Sequence, residues 1–165
     1  INIMDKEASD KGLLFLCEMG LDPGIDHMSA MDMINTIQEQ GGEIHSFRSH
    51  CGGLISPESD DNPWHYKISW NPRNIITAGK DGARFLQDGR IVEMSYLNLF
   101  DSDRRINIPG MGSYAWYPNR DLIPYQLLYG LENAKNLVRT TLRHPDFCEA
   151  WNVLVNSGLT SEKRI

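Results

Sequence analysis

Residues 20–34, GLDPGIDHMSAMDMI, restrict the local fold more than any other stretch of the chain. Gly20, Asp22, Pro23, Gly24, Asp26 and His27 stand almost side by side, then give way to a Met-rich amphipathic pattern. LDPG is turn chemistry, because proline presets one dihedral and glycine accepts backbone angles that other residues avoid. Asp26 is a good N-cap. Met28, Met31, Ile34 and Ile37 recur at threefold spacing, with Ala30 and Met33 beside them. That spacing predicts a helix of about 13 residues, stopped by Gly41 and Gly42. The preceding run GLLFLCEMG (12–20) reads as a short buried strand ended by glycine. The unit is therefore strand, turn, helix. Its polar cluster sits on a helix N-terminus, where free N–H groups and the helix dipole favour anions.

The rest of the chain alternates strand and helix signals. EIHSFRSHCGGL (43–54) predicts a strand running into a glycine pair, SPESDDNPW a polar loop, HYKISW (65–70) another strand and NPRN a turn. IITAGKDGARFLQDG fits a short helix followed by a hairpin into RIVEMSYL. PGMGSYAWYPNRD reads as a loop rich in glycine, proline and aromatics, and LIPYQLLYG as a short helix. In NLVRTTLRH (136–144), Val138, Thr140 and Leu142 alternate with Arg139, Thr141 and Arg143, as strand residues do across two faces. PDFCEAWNVLVNSG predicts a last helix opened by Pro145, with Phe147, Ala150, Trp151 and Leu154 as its apolar stripe and Gly158 as its stop. Few strict βαβ repeats occur. The expected class is α+β, a mixed or mostly antiparallel sheet with helices packed on one face. No G-x-G-x-x-G follows a strand, so no complete Rossmann unit is expected.

Composition excludes several classes of function. With 165 residues there is enough chain for one domain with a core. A net charge of −6 argues against a nucleic-acid surface. There is no run of 18 apolar residues for a membrane span. The three cysteines, Cys17, Cys51 and Cys148, are widely spaced without C-x-x-C, which points to a reducing compartment. No histidines stand at metal-ligand spacing, so no metal site is expected. The polar opening INIMDKEASDKG is not a signal peptide. Without an initiator Met it reads as the interior of something longer.

Several residues could carry chemistry. Asp22 and Asp26 fit a turn residue and a helix cap by residue type. Cys51 precedes two glycines that would let a ligand approach the backbone; it is either a buried thiol or an acid–base group. Arg120, among aromatics and glycines, and Arg143, on a strand, are suited to bidentate capture of carboxylates, although a solvated strand face also carries arginines. The Met stripe reads as core packing.

Five segments occur here in one order: EMGLDPGIDHM (18–28), SHCGGLISPES (49–59), NPWHYKISWNPR (62–73), YPNRD (117–121) and VRTTLRH (138–144). Together they resemble the glutamate-forming saccharopine dehydrogenases, also called saccharopine reductases, from about residue 12 to 158. That resemblance implies a substrate-binding and dimerisation domain over 1–165, the partner of an N-terminal Rossmann domain that binds NAD or NADP. It implies that Leu21, Asp22, Pro23, Gly24, Ile25, Asp26, His27 and Met28 meet the nicotinamide end of the cofactor, joined by Asn71. It implies that Arg120, with Thr141, Leu142 and Arg143, holds saccharopine, a substrate with three carboxylates. Asp22 and Cys51 are then the candidates for catalysis beside the reacting imine. Ile55-Ser56-Pro57 and Asn71 depart from the family pattern, which usually has a small residue and proline directly after CGGL and often a serine in place of Asn71.

The expected function is interconversion of saccharopine with glutamate and 2-aminoadipate 6-semialdehyde by a cytoplasmic homodimer, with no activity from this stretch alone. The alternatives are a relative acting on another carboxyalkyl-amine, such as carboxynorspermidine, and a non-catalytic dimerisation or ligand-binding module.

Overall fold

The computed structural model describes residues 2–101 and 103–162. Six strands form one sheet: β1 (Ser46–Cys51), β2 (Ala83–Gln87), β3 (Arg90–Met94), β4 (Arg105–Ile108), β5 (Gly112–Pro118) and β6 (Asn136–Arg143). The order is β3-β2-β6-β5-β4, with β1 paired to β6 off this path. Thr140 and Thr141 pair both with His50 and Cys51 of β1 and with Pro118 and Tyr117 of β5, so these two strands flank β6 on opposite sides. Among the pairings of these six strands, that of β1 with β6 is parallel and the rest are antiparallel. The α+β class and the mixed, mostly antiparallel sheet stand as expected.

Five α-helices are described: α1 (Asp5–Asp10), α2 (Ile25–Glu39), α3 (Pro72–Thr77), α4 (Ile123–Leu128) and α5 (Pro145–Asn156). None is long and apolar enough to cross a membrane. Register shows where the two long ones lie. Cross-strand partners share a face, so Ala115 and Tyr117 share one with Arg143 and Thr141. Leu137 and Arg139 lie on that same face by alternation. Ala115 and Tyr117 join a core cluster with Phe147, Cys148 and Val155 of α5. Leu137 joins a second cluster with Ile34 of α2, Leu122, Tyr129 and Leu131. Both long helices therefore cover one face of the sheet in two apolar patches. Each fully buried leucine or phenylalanine there contributes roughly 1.5–3 kcal/mol. Arg139 and Thr141 occupy the seam between the patches.

Several local expectations differ. Residues 12–20 form no strand: Leu13, Leu14, Phe15 and Leu16 are exposed, and the only pairing is a bridge between Gly20 and Gly24. An apolar run needs a neighbouring strand to become one. HYKISW (65–70) also lacks strand structure, and His65 takes a positive φ of 47°. NPRN begins α3 instead of a simple turn, with Pro72 in its first turn. In PGMGSYAWYPNRD the turn is confined to its start, while Gly112–Pro118 is strand β5, hydrogen-bonded to β4. The aromatic residues outweigh the glycines once a partner strand is present. β1 is shorter than residues 43–54. Helix α2 does stop at the expected place, with Gly41 and Gly42 N–H groups donating to the carbonyls of Gln38 and Ile37.

Candidate functional site

The site grows from the turn before α2. Gly24, not Asp26, occupies the N-cap, with φ of 151°. A Cβ there would lie 2.1 Å from the Gly20 carbonyl oxygen and 2.8 Å from that of Glu18. The space exists only for glycine. Gly20 N–H donates to the Pro23 carbonyl (3.0 Å), Ile25 N–H to Gly20 (2.9 Å) and Asp26 N–H to Leu21 (3.1 Å). Asp26 Oδ1 accepts from the Gly24 N–H at 2.8 Å, so Asp26 still closes the turn from its first helical residues. The result is a rigid loop that points Asp22 and Asp26 inward and leaves Leu21, Ile25 and Met28 exposed.

Arg139 meets these carboxylates from β6. It donates to Asp22 Oδ1 at 2.6 Å and to Asp26 Oδ2. The Asn119 amide donates to Asp22 Oδ2 at 2.9 Å. Arg139 is only 8% exposed, and its guanidinium lies 5.4 Å from the Tyr125 ring centroid. His27 stacks on Tyr125 (4.9 Å, 11°), and its Nδ1 lies 2.5 Å from the Tyr129 hydroxyl. Burial pushes the Asp22 carboxyl above its ordinary range, and Asp26 adds to the rise; Arg139 and Asn119 oppose it without cancelling it. Burial likewise pushes the Tyr129 phenol up to about 12. The Cys51 thiol is raised by burial first, then by Asp22 and Asp26, which places it beside this cluster. It stays a protonated thiol at neutral pH.

A small cavity of about 90 Å³ opens on the cluster, lined by Glu18, Asp22, Asn119, Arg120, Asp121 and Tyr125 among others. Known small-molecule pockets run from roughly 300 Å³ upward, so it admits the end of a ligand rather than a whole one. Arg120 is exposed there with φ of 59°, and its side chain makes no hydrogen bond or ion pair among the described residues. It is a cation with donors to spare. Arg143 lies elsewhere, 4.9 Å over the Tyr66 ring and 5.4 Å over Phe147; one NH donates to its own Leu142 carbonyl, and its buried Nε has no partner. Thr141 stands opposite the buried Tyr117 across β5 and β6. Leu142 is buried on the opposite face. Arg143 is not among the residues lining the cavity that Arg120 faces.

The structure fits one family. The family model for the saccharopine dehydrogenase C-terminal domain matches residues 20–165. The chain belongs to that family. It is 41% identical over 161 residues to a saccharopine dehydrogenase (NADP(+), L-glutamate-forming) of Pyricularia oryzae, covering 97% of this chain and 36% of that protein. It is 43% identical over 149 residues to an alpha-aminoadipic semialdehyde synthase of Arabidopsis thaliana, covering 88% of this chain and 14% of that one. Its fold matches apo saccharopine dehydrogenase (L-Glu forming) from Saccharomyces cerevisiae with a TM-score of 0.81 at 35% identity, over 97% of this chain and 36% of that one. The chain spans about a third of the length of these fungal relatives.

Within this chain, two of the residues singled out from the sequence also have structural neighbours of their own. The glycine pair after Cys51 does not open the backbone to a ligand at Gly52: a Cβ there would lie 2.5 Å from the Leu142 carbonyl, so the close neighbour is β6 itself. Asn71 caps α3, its Oδ1 accepting from the Arg73 N–H at 3.0 Å, and it forms no hydrogen bond or ion pair with the Asp22–Arg139 cluster. Sequence reasoning missed Arg139, Asn119, Tyr125 and Tyr129. Arg139 shares its strand face with Thr141 and Arg143, and nothing local announces that a helix N-terminus covers it. Its alternation with Val138 and Thr140 was the available signal.

Proposed function

We propose that this chain is the substrate-binding domain of an NAD(P)-dependent saccharopine dehydrogenase, acting on a CH–NH bond in lysine metabolism. The observation that carries the reading is Arg120. It forms no hydrogen bond or ion pair among the described residues, although its charge reaches Asp22, and it lines a cavity whose other arginine, Arg139, is held by two carboxylates. A net acidic chain keeps that cation for an anion from outside, and the relatives' names supply the class of anion. Saccharopine, with three carboxylates, matches Arg120 and the stacked fork of Arg143, with Thr141 and the backbone of Leu142 between the partners of that second site. Aromatic faces hold the Arg143 fork in one plane before any ligand arrives.

Bound NADP or NAD would accept or supply the hydride. The exposed apolar side chains of Leu21, Ile25 and Met28 fit the nicotinamide end, and the glycine-fixed turn through Asp22, Pro23, Gly24, Asp26 and His27 holds them in place. Asn71, at the N-cap of α3, is the additional cofactor contact that the family resemblance implies. Asp22 and Cys51 handle the proton at the substrate nitrogen: a thiol kept protonated by burial can donate, and a carboxyl whose burial favours its protonated form can take up and return a proton. Arg139 and Asn119 fix the Asp22 carboxyl in one orientation.

We place the whole enzyme in the cytoplasm as a homodimer. Cys17, Cys51 and Cys148 are all free thiols. Leu14 is 81% and Leu127 71% exposed, the kind of apolar surface that a second copy or the remainder of the enzyme covers. This chain by itself is expected to be inactive. The test is the intact protein given saccharopine and NADP⁺ or NAD⁺, followed by nicotinamide absorbance with glutamate assayed as product. Saccharopine-dependent reduction supports the reading, and its absence with both cofactors overturns it.

A further inference from the structure

Away from the Asp22 cluster, two histidines and a carboxylate converge from separate elements. Asp60 and His65 belong to the compact loop after β1, where the His65 N–H donates to the Asn62 carbonyl at 3.0 Å. His144 stands at the N-cap of α5 with extended backbone, and its side chain caps nothing. The His65 and His144 rings stack at 4.6 Å and 29°. His65 Nδ1 lies 2.6 Å from Asp60 Oδ2, and its Nε2 3.5 Å from Asp146 Oδ2. One donor atom from each of Asp60, His65 and His144 lies within 4.8 Å of the others, and all three residues are half-buried. Asp60 Oδ1 is buried without a hydrogen-bond partner. A buried carboxylate oxygen left unpaired is costly, and a cation would satisfy it.

We propose that Asp60, His65 and His144 form a site for one divalent transition-metal ion of the zinc class. Two imidazoles and a carboxylate are the donor set such ions take, at about 2.0–2.2 Å from the metal, with the fourth position left to water. Asp146, 64% exposed on its side chain, is close enough to supply that position instead. The donor atoms already lie within 4.8 Å of one another, so small rotations of the two rings and the carboxylate bring them together. Coordination needs a neutral imidazole, so the proton that His65 shares with Asp60 leaves to solvent as the ion binds. The spacing of 79 residues between His65 and His144 hides the site from any sequence motif.

Position gives the ion a task. His65 is followed by Tyr66, and His144 is preceded by Arg143, whose guanidinium lies over the Tyr66 ring. An ion shared by His65 and His144 would staple the very two segments that hold Arg143 flat.

The test uses the intact protein without an affinity tag, stripped with EDTA and dialysed. Calorimetric titration with ZnCl₂ should show one saturable equivalent, and Co²⁺ should give the visible absorption of a tetrahedral site. His144→Ala and Asp60→Asn should each weaken Zn²⁺ binding at least about tenfold, with circular dichroism showing that both fold. If His144→Ala fails to fold, His65→Gln serves in its place. Cys17→Ser should leave binding unchanged. No saturable binding, binding unaltered by the ligand variants, or binding lost with Cys17→Ser would each overturn the proposal and leave the cluster as ion pairs.

Discussion

Gly24 shows how much one residue decides. Its φ of 151° and the 2.1 Å gap to the Gly20 oxygen leave no room for a side chain. Gly24→Ala should cost about 3 kcal/mol or more, through both strain and collision. Urea unfolding measures it, and a loss under about 1 kcal/mol would show that the turn can relax. The three thiols differ in the same local way. Cys17 is exposed, Cys51 is half-buried and raised, and Cys148 is buried and pushed up to about 11. Since the thiolate is the reactive form, iodoacetamide at pH 8 should modify Cys17 first, Cys51 more slowly and Cys148 last. Mass spectrometry of timed digests reads the order; early labelling of Cys51 would remove it from the buried cluster.

At the scale of elements, the Asp22–Arg139–Asp26 group locks the N-terminus of α2 onto β6. Replacing Arg139 with methionine strands two carboxylates inside, and the expected loss is about 3–5 kcal/mol. A loss below 1 kcal/mol in chemical denaturation would mean that water reaches them freely. The pH dependence has a definite sign. Asp22 keeps its proton to higher pH in the folded chain than in the unfolded one, where it titrates near 3.8. In the window just above 3.8 the folded state binds more protons, so this group makes stability fall as pH rises. Asp22→Asn should flatten that fall when urea midpoints are compared across the window, and an unchanged slope would contradict the burial. This lock also marks where sequence reading stopped. The period of α2, its glycine stop, the β2–β3 hairpin, β6 and the Pro145 start of α5 were legible because they rest on neighbours in the chain. The partner of Asp22 lies 117 residues away. The strand expected at 12–20 failed for the converse reason: its apolar run is real, but no strand lies beside it.

For the whole molecule, the division of labour between the two arginine sites is the central claim. Arg139 is spent on holding the fold. In the proposed function, Arg120 and Arg143 hold the substrate carboxylates. The direct test is a steady-state comparison in the full-length enzyme of Arg120→Lys and Arg143→Lys, which keep the charge and lose the fork. Each should weaken saccharopine binding by about 1.5–3 kcal/mol, roughly 10- to 150-fold in its Michaelis constant, with that for NADP⁺ almost unmoved. If both variants keep the wild-type constant for saccharopine, or lose NADP⁺ instead, these arginines do not hold the substrate and the account is wrong.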